Sequence, residues 1–396
     1  MNLRKIDQLD LANKKVLVRL DLNVPMEDGK IRDDTRIRAA LPTIRHILEQ
    51  TNQVVLMSHL GRPGGKEVPS MSLEAVGGRL AELLDRQVLF VQDYHQEPVE
   101  QMLASLDSNQ LILLENLRFH GEETKNDREF SRMLSRGFDV FINDAFGTLH
   151  RAHASTVGVA ECMKPEQRAA GLLVVKEIEC LSRVASAPEA PFTVIMGGSK
   201  VSDKIGVTLN LLNHCNHLLI GGAMAYTFLK YRGIDVGDSR VEEDKLDLVE
   251  SIYRNAETRR VEIHIPEDHV AAASFDKGAD PVVVEAAAIP TGLMGLDIGP
   301  RTLEKYQKVI AGSRTVLWNG PMGVFEWDAF AGGTLGVARA MAECPGYSLI
   351  GGGDSVAAAN KAGVAGKMSH ISTGGGASLE YLEGKVLPGV KVLMQS

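Results

Sequence analysis

Phe192-Thr193-Val194-Ile195-Met196-Gly197-Gly198-Ser199-Lys200-Val201-Ser202-Asp203-Lys204 joins an apolar run to a glycine pair and two lysines. Residues 193–196 read as a short buried strand, and the glycines let the chain turn sharply and approach a ligand without a Cβ in the way. Ile205, Leu209 and Leu212 then repeat at helical spacing, so the free N–H groups and positive dipole of a helix start would face whatever Lys200 and Lys204 face. Two ammonium groups four residues apart repel on one helical side unless an anion lies between them. These residues alone leave two readings open, a phosphate cradle and a plain strand-to-helix turn with solvated lysines.

Working outward, the same strand-then-polar-turn pattern recurs. In the first half, Lys15–Leu20, Val54–Met57, Leu111–Leu114 and Phe138–Ile142 read as strands, with helical segments at Leu41–Leu48 and Ser72–Leu84 between them. Strands apolar on both faces alternating with helices predict a parallel sheet covered on each side, which binds ligands beyond the strands' carboxyl ends. That edge gathers Arg19, His59, Arg62, Arg118 and Arg151, with Arg36 from the loop 32–36 and the acceptors Asp21 and Asn23. One such arginine is ordinarily a solvated loop residue. Five or six at equivalent positions in an acidic chain predict a site for a small, highly anionic metabolite, because the guanidinium fork suits phosphate and carboxylate oxygens. His59, His150 and His153 read as donors beside that anion rather than as proton-transfer groups.

Ala170–Leu181 is helical, and the breaker Ala185–Pro191 after it marks a domain boundary. Beyond it the strand ends turn glycine-rich: Leu218–Ile220 leads into Gly221-Gly222, Val316–Trp318 into Asn319-Gly320-Pro321, Ser348–Ile350 into Gly351-Gly352-Gly353-Asp354-Ser355, and His370–Ser372 into Gly374-Gly375-Gly376. Any single glycine turn means only a tight connection. Several, with two lysines opposite Asp354, predict nucleotide phosphates and Mg²⁺, which takes one or two carboxylates along with phosphate oxygens. No Gly-x-x-x-x-Gly-Lys-Ser/Thr and no Gly-x-Gly-x-x-Gly occurs, which counts against a Walker loop, a nicotinamide dehydrogenase and a protein-kinase glycine loop.

A chain of 396 residues predicts two domains. The net charge of 43 − 51 = −8, with no basic tail, argues against a nucleic-acid partner. The longest apolar run, Leu218–Leu229, is too short to span a bilayer, and the start lacks the apolar core of a signal peptide. Cys162, Cys180, Cys215 and Cys344 are too scattered for a disulfide framework or a zinc motif. A cytoplasmic protein is expected.

Arg19–Pro25, Ser58-His59-Leu60-Gly61-Arg62-Pro63, Glu115–Phe119, Gly197–Lys204 and Gly351–Ser355 together resemble the signatures of the phosphoglycerate kinase family, in the family's order and across essentially the whole chain. The resemblance implies magnesium-dependent phosphoryl transfer between ATP and the carboxylate of 3-phosphoglycerate, a step of glycolysis, by a monomer. It also implies an α/β fold of two doubly wound, Rossmann-like parallel-sheet domains. Residues 1–169 would bind phosphoglycerate, 170–184 form a hinge helix, 185–372 bind the nucleotide, and 373–396 return to the first domain.

By the same resemblance Asp21, Asn23, Arg36, His59, Leu60, Gly61, Arg62, Arg118 and Arg151 would hold the phosphoglycerate, and Arg19, Lys200 and Lys204 would act on the transferring group. Gly221, Gly222, Leu296, Asn319, Pro321, Glu326, Gly352, Gly353, Asp354 and Ser355 would surround the nucleotide, with Asp354 on the metal. Ser355 stands where the family often has threonine, and Leu149 where alanine is usual. Two other classes stand as alternatives: a non-catalytic two-domain anion-binding module, which does not account for Lys200, Lys204 and Asp354, and a nicotinamide dehydrogenase.

Overall fold

The structure, a computed structural model, describes residues 2–97 and 99–395. Two compact units are present: residues up to Glu179 together with those from Val386 onward, and Cys180–Lys385. Among the described residues no helix is long and apolar enough to cross a membrane.

The first unit is built on a six-stranded sheet in the order Gln87–Val91, Gln110–Leu114, Val54–Met57, Val16–Leu20, Val140–Asp144, Arg168–Ala170, every pair parallel. The three central strands are buried at every position, including Arg19, Asn143 and Asp144 near their carboxyl ends, as strands covered on both faces require. Two of the six strands escape the sequence reading: Gln87–Val91 is a half-buried edge, and Arg168–Ala170 has three residues. The expected helix Leu41–Leu48 begins earlier, at Thr35, and carries Pro42 inside it. Asp33 Oδ1 accepts from Thr35 N–H at 2.8 Å and supplies the start signal. Arg36 therefore sits in the first turn of a helix and not in a loop.

The helix Leu172–Ala185 starts two residues after the expected Ala170, which ends a strand. Asp144, at the end of a central strand, accepts from Leu173 N–H (2.8 Å) and Val174 N–H (3.1 Å) and so caps that helix. Burial outweighs these donors and pushes Asp144 up to about 7. The folded protein thus holds a proton that the unfolded chain has already released, so stability falls as pH rises from about 4 to about 7 and stays lowered above that. The effect is at most about 4 kcal/mol, at ~1.4 kcal/mol per unit. Asp144→Asn keeps the cap and removes the titration. It is expected to flatten the fall in urea stability between pH 5 and pH 8, and wild-type and variant curves running parallel across that range would refute the burial argument.

The second unit repeats the design with a parallel sheet in the order Glu262–His264, His217–Ile220, Phe192–Met196, Thr315–Asn319, Tyr347–Gly351, His370–Ile371. An antiparallel sheet of His269–Ala272, Val282–Val284 and Met294–Ile298 is added to it, an element the sequence reading lacks. The expected tail 373–396 divides. The helix Gly376–Leu382 stays with the second unit, where Tyr381 Oη lies 2.6 Å from Ser182 Oγ and Asn210 Nδ2 donates to the Leu382 carbonyl at 2.8 Å. Residues from Val386 join the first unit: Gly389 N–H donates to the Leu149 carbonyl (2.9 Å), and Arg4 N–H to that of Leu393 (3.0 Å). A Cβ on Gly389 would lie 2.6 Å from Leu149 Cδ2 and 3.0 Å from its Cα, so the glycine lets the tail pass over this leucine.

Candidate active site: a basic sheet edge and a glycine-walled cleft

At the carboxyl edge of the first sheet the central strand brings Arg19, and the turn after it Asp21 and Asn23. Arg19 is the fourth residue of the strand, not its terminus, and is fully buried. Its Nε–H donates to Ser155 Oγ at 2.7 Å, one Nη to the Leu20 carbonyl, and the other Nη lies 3.1 Å from His59 Nδ1. Ser155 passes the contact on to buried Glu123, donating from Oγ (2.7 Å) and N–H (2.9 Å). Because a guanidinium only donates, His59 Nδ1 must accept, and the ring is neutral with its proton on Nε2. Burial, reinforced by Arg19, Arg118 and Arg36, pushes the His59 pKa well down, in agreement. His153 is likewise held neutral, pushed down to about 4 by burial and by Arg118 and Arg19.

Arg36 pairs with Asp21 at 2.7 Å, and Arg118 donates to the Gly61 carbonyl at 2.8 Å. Arg62, Arg118 and Arg151 form no ion pair among the described residues, and the buried Nε of Arg118 has no acceptor. Burial and the neighbouring Arg19 lower Arg118 to about 10. Cations held together at such a cost, with a donor left unsatisfied, suit an anionic ligand.

Two predicted residues, Leu60 and Gly61, and their neighbour Glu115 also hold the loops of this edge together. Leu60 is in the core, and both its N–H and its carbonyl are taken by Asn116, at 3.1 and 2.7 Å. Gly61 N–H goes to Asn23 Oδ1 (2.8 Å). Glu115 accepts from Ser72 Oγ (2.7 Å) and Leu73 N–H (2.9 Å), anchoring the start of the helix Glu74–Leu84. In the stretch Glu115–Arg118, then, Glu115 and Asn116 hold the loop, and Arg118 is tied to it by its side-chain bond to the Gly61 carbonyl.

In the second unit the loops after four parallel strands, together with the antiparallel sheet, wall a cleft of about 510 Å³. Of the predicted residues Gly222, Leu296, Pro321, Glu326 and Asp354 line it; Ser199, Tyr226, Arg240 and Phe275 also do, and sequence reasoning did not find them. Lys204 Nζ donates to Asn319 Oδ1, and Asn319 Nδ2 to the Gly351 carbonyl at 2.9 Å, so buried Asn319 is spent on the loops. Burial lowers the Lys204 pKa, while Asp354 works to raise it. The Ser355 hydroxyl accepts from Gly320 N–H at 2.6 Å and ties two loops together.

The glycines of the opening stretch divide by role. A Cβ on Gly197 would lie 2.6 Å from the Gly320 carbonyl oxygen and closer still to that of Pro321, so this glycine serves loop-to-loop contact and not a ligand. Gly198 has φ +106 and open space where a Cβ would be. Lys200 and Lys204 do not share a helical face, because the helix spans only Ile205–Leu211. The N–H groups of Val201 and Ser202 are already taken by Glu242, at 2.5 and 3.2 Å. Asp354, exposed in the first turn of the helix Gly353–Lys361, forms no ion pair among the described residues. That donor suits a hard cation arriving with phosphate oxygens.

The family model for phosphoglycerate kinase matches residues 6–385. The chain is similar to proteins named phosphoglycerate kinase from Anaeromyxobacter dehalogenans (strain 2CP-C), 53% identical over 99% of both chains, and from Moorella thermoacetica, 53% identical over 98% of both. Its structure is similar to that of phosphoglycerate kinase from Coxiella burnetii, with a TM-score of 0.91 at 40% identity over 99% of this chain and 98% of that one. The corresponding values for the Pyrococcus horikoshii OT3 enzyme are 0.83 and 36%, over 98% of each chain.

Proposed function

The chain belongs to the phosphoglycerate kinase family, kinases with a carboxyl acceptor, and on that premise we propose that it transfers a phosphoryl group reversibly between ATP and the carboxylate of 3-phosphoglycerate. The products are ADP and 1,3-bisphosphoglycerate. The observation that carries the reading is the basic edge with its unsatisfied Arg118 Nε, an arrangement suited to an anion. Asp21, Asn23, Arg36, His59, Arg62, Arg118 and Arg151 hold the phosphoglycerate. Arg19 answers the charge that develops on the transferring group, since phosphoryl transfer depends on positioning and charge stabilisation more than on proton transfer. Lys200, Lys204 and the residues of the cleft hold the nucleotide. Asp354 would hold the magnesium that accompanies the nucleotide, which would supply neutralisation of phosphate charge. The protein acts as a cytoplasmic monomer.

A coupled assay with ATP, magnesium and 3-phosphoglycerate tests this. ADP release dependent on all three is expected, and a protein that binds phosphoglycerate without any acceptor-dependent ADP would be the non-catalytic binding module instead. Asp354→Ala is expected to leave the melting temperature nearly unchanged, because an exposed unpaired carboxylate contributes little to the fold. The same change should weaken binding of magnesium–ADP far more than binding of ADP alone; equal weakening would remove the metal role. The acceptor and donor groups lie on different units, so reaction requires bringing them to ~3–3.5 Å with water excluded. The radius of gyration from solution scattering should fall partway with either substrate and further with both, and full compaction by one alone would contradict two-ligand closure.

A further inference from the structure

We propose that His217, Glu262 and His264 form a binding site for a single borderline divalent transition-metal ion, with zinc as the type ion. His217 opens one strand and Glu262 opens the neighbouring edge strand. The two are register partners in a parallel pair, and His264 lies two residues beyond Glu262, on the same face of the sheet. His217 Nδ1 and His264 Nε2 are 3.2 Å apart; Glu262 Oε2 is 3.5 Å from the first, and Oε1 is 3.6 Å from the second. A tetrahedral ion with bonds of ~2.0–2.1 Å needs ligand atoms about 3.3 Å apart along each edge. The two nitrogens already stand at that spacing, and the carboxylate offers one oxygen to each, with one ligand atom per residue lying within 4.8 Å of the others.

The donor set is two imidazoles and one carboxylate, which suits zinc and its first-row neighbours and not a hard cation that prefers oxygen ligands. His264 is buried and Glu262 exposed, so the fourth position of the tetrahedron falls toward solvent and a water. The ligands stand on rigid strands, which keeps their spacing fixed. None of the three lines the cleft, and the strand from His217 to Ile220 separates His217 from Gly221.

A bound ion would clip the three-residue edge strand Glu262–His264 to its neighbour. The chain runs on from that strand to His269–Ala272, whose partner Met294–Ile298 supplies Met294, Gly295 and Leu296 to the cleft wall. The site is therefore assigned a steadying role in the second unit, with no part in the chemistry.

The alternative for the same atoms is a metal-free network in which one ring donates to the other. Full-length protein freed of metal by chelator and dialysis decides between them, titrated with Zn²⁺ against a chromophoric chelator and with Co²⁺ by visible absorption. Wild type is expected to take up one equivalent that His217→Ala and Glu262→Gln lose, with affinity lower by at least about tenfold, the scale of disturbing even outer-shell partners. Zinc should also raise the melting temperature of wild type and not of the variants. Both substituted side chains are at least partly exposed, so the metal-free variants are expected to melt and turn over like wild type. Identical uptake by wild type and variants, or no uptake by wild type, overturns the site and leaves the hydrogen-bonded network.

Discussion

Arg19→Ala is expected to lower kcat by ~10²-fold or more, the scale of losing one preorganised charge-stabilising donor. The same substitution should also cost stability, because Arg19 is fully buried and engaged through three of its five N–H groups. Its removal takes counter-charge from the Ser155–Glu123 pair behind it and leaves the buried carboxylate to Arg118, a loss of about 3 kcal/mol. The two effects separate if kcat is taken per folded molecule, below the variant's melting range, beside Ser155→Ala. Ser155→Ala disturbs the same network but leaves the guanidinium in place, so it should lose stability while keeping most of kcat. A folded Arg19→Ala protein with normal kcat and only a raised KM would make Arg19 a binding group, equally engaged in ground and transition states.

This double role shows where reading from sequence stops. The central strands were legible because each opens on an apolar, β-branched run, and the arginines because their positions repeat at strand ends. The short strands Arg168–Ala170 and Glu262–His264 were not, since three residues carry no period, and Pro42 concealed the first turns of its helix. Side-chain partners were hidden as well. Leu60, Glu115, Asn116 and Asn319 stand inside motifs that contain ligand-facing residues, yet their polar groups are consumed in holding loops. Glu123 and Glu242 were passed over because a glutamate beside other acidic residues reads as solvated surface. Glu123 is fully buried beneath Arg19, and Glu242 caps the turn before Lys204. Which member of a motif touches a ligand depends on what else lies within hydrogen-bond reach, and that is set by the fold.

The glycines carry the same distinction into a measurement. Gly197→Ala is expected to cost about 3 kcal/mol, at the upper end of overpacking, because the two nearest atoms its Cβ meets are backbone oxygens of Pro321 and Gly320, which cannot swing away as the Met322 methyl can. Pro321 also lines the cleft, and its carbonyl accepts from Gly198 N–H at 3.0 Å, so forcing these loops apart should reduce magnesium–ADP affinity by tenfold or more as well. Gly353→Ala is the counterpart: no atom lies within 4 Å of the added methyl, and the site is a helix start, so the free protein should be unharmed or stabilised by up to ~1 kcal/mol. If the nucleotide's phosphate end approaches Gly353, that same methyl should still weaken nucleotide binding. Loss of stability and affinity together at Gly197, against loss of affinity alone at Gly353, separates a glycine needed for loop contact from one needed for ligand approach. Gly197→Ala protein that melts and binds nucleotide like wild type would show that the loops yield more readily than their carbonyl spacing allows.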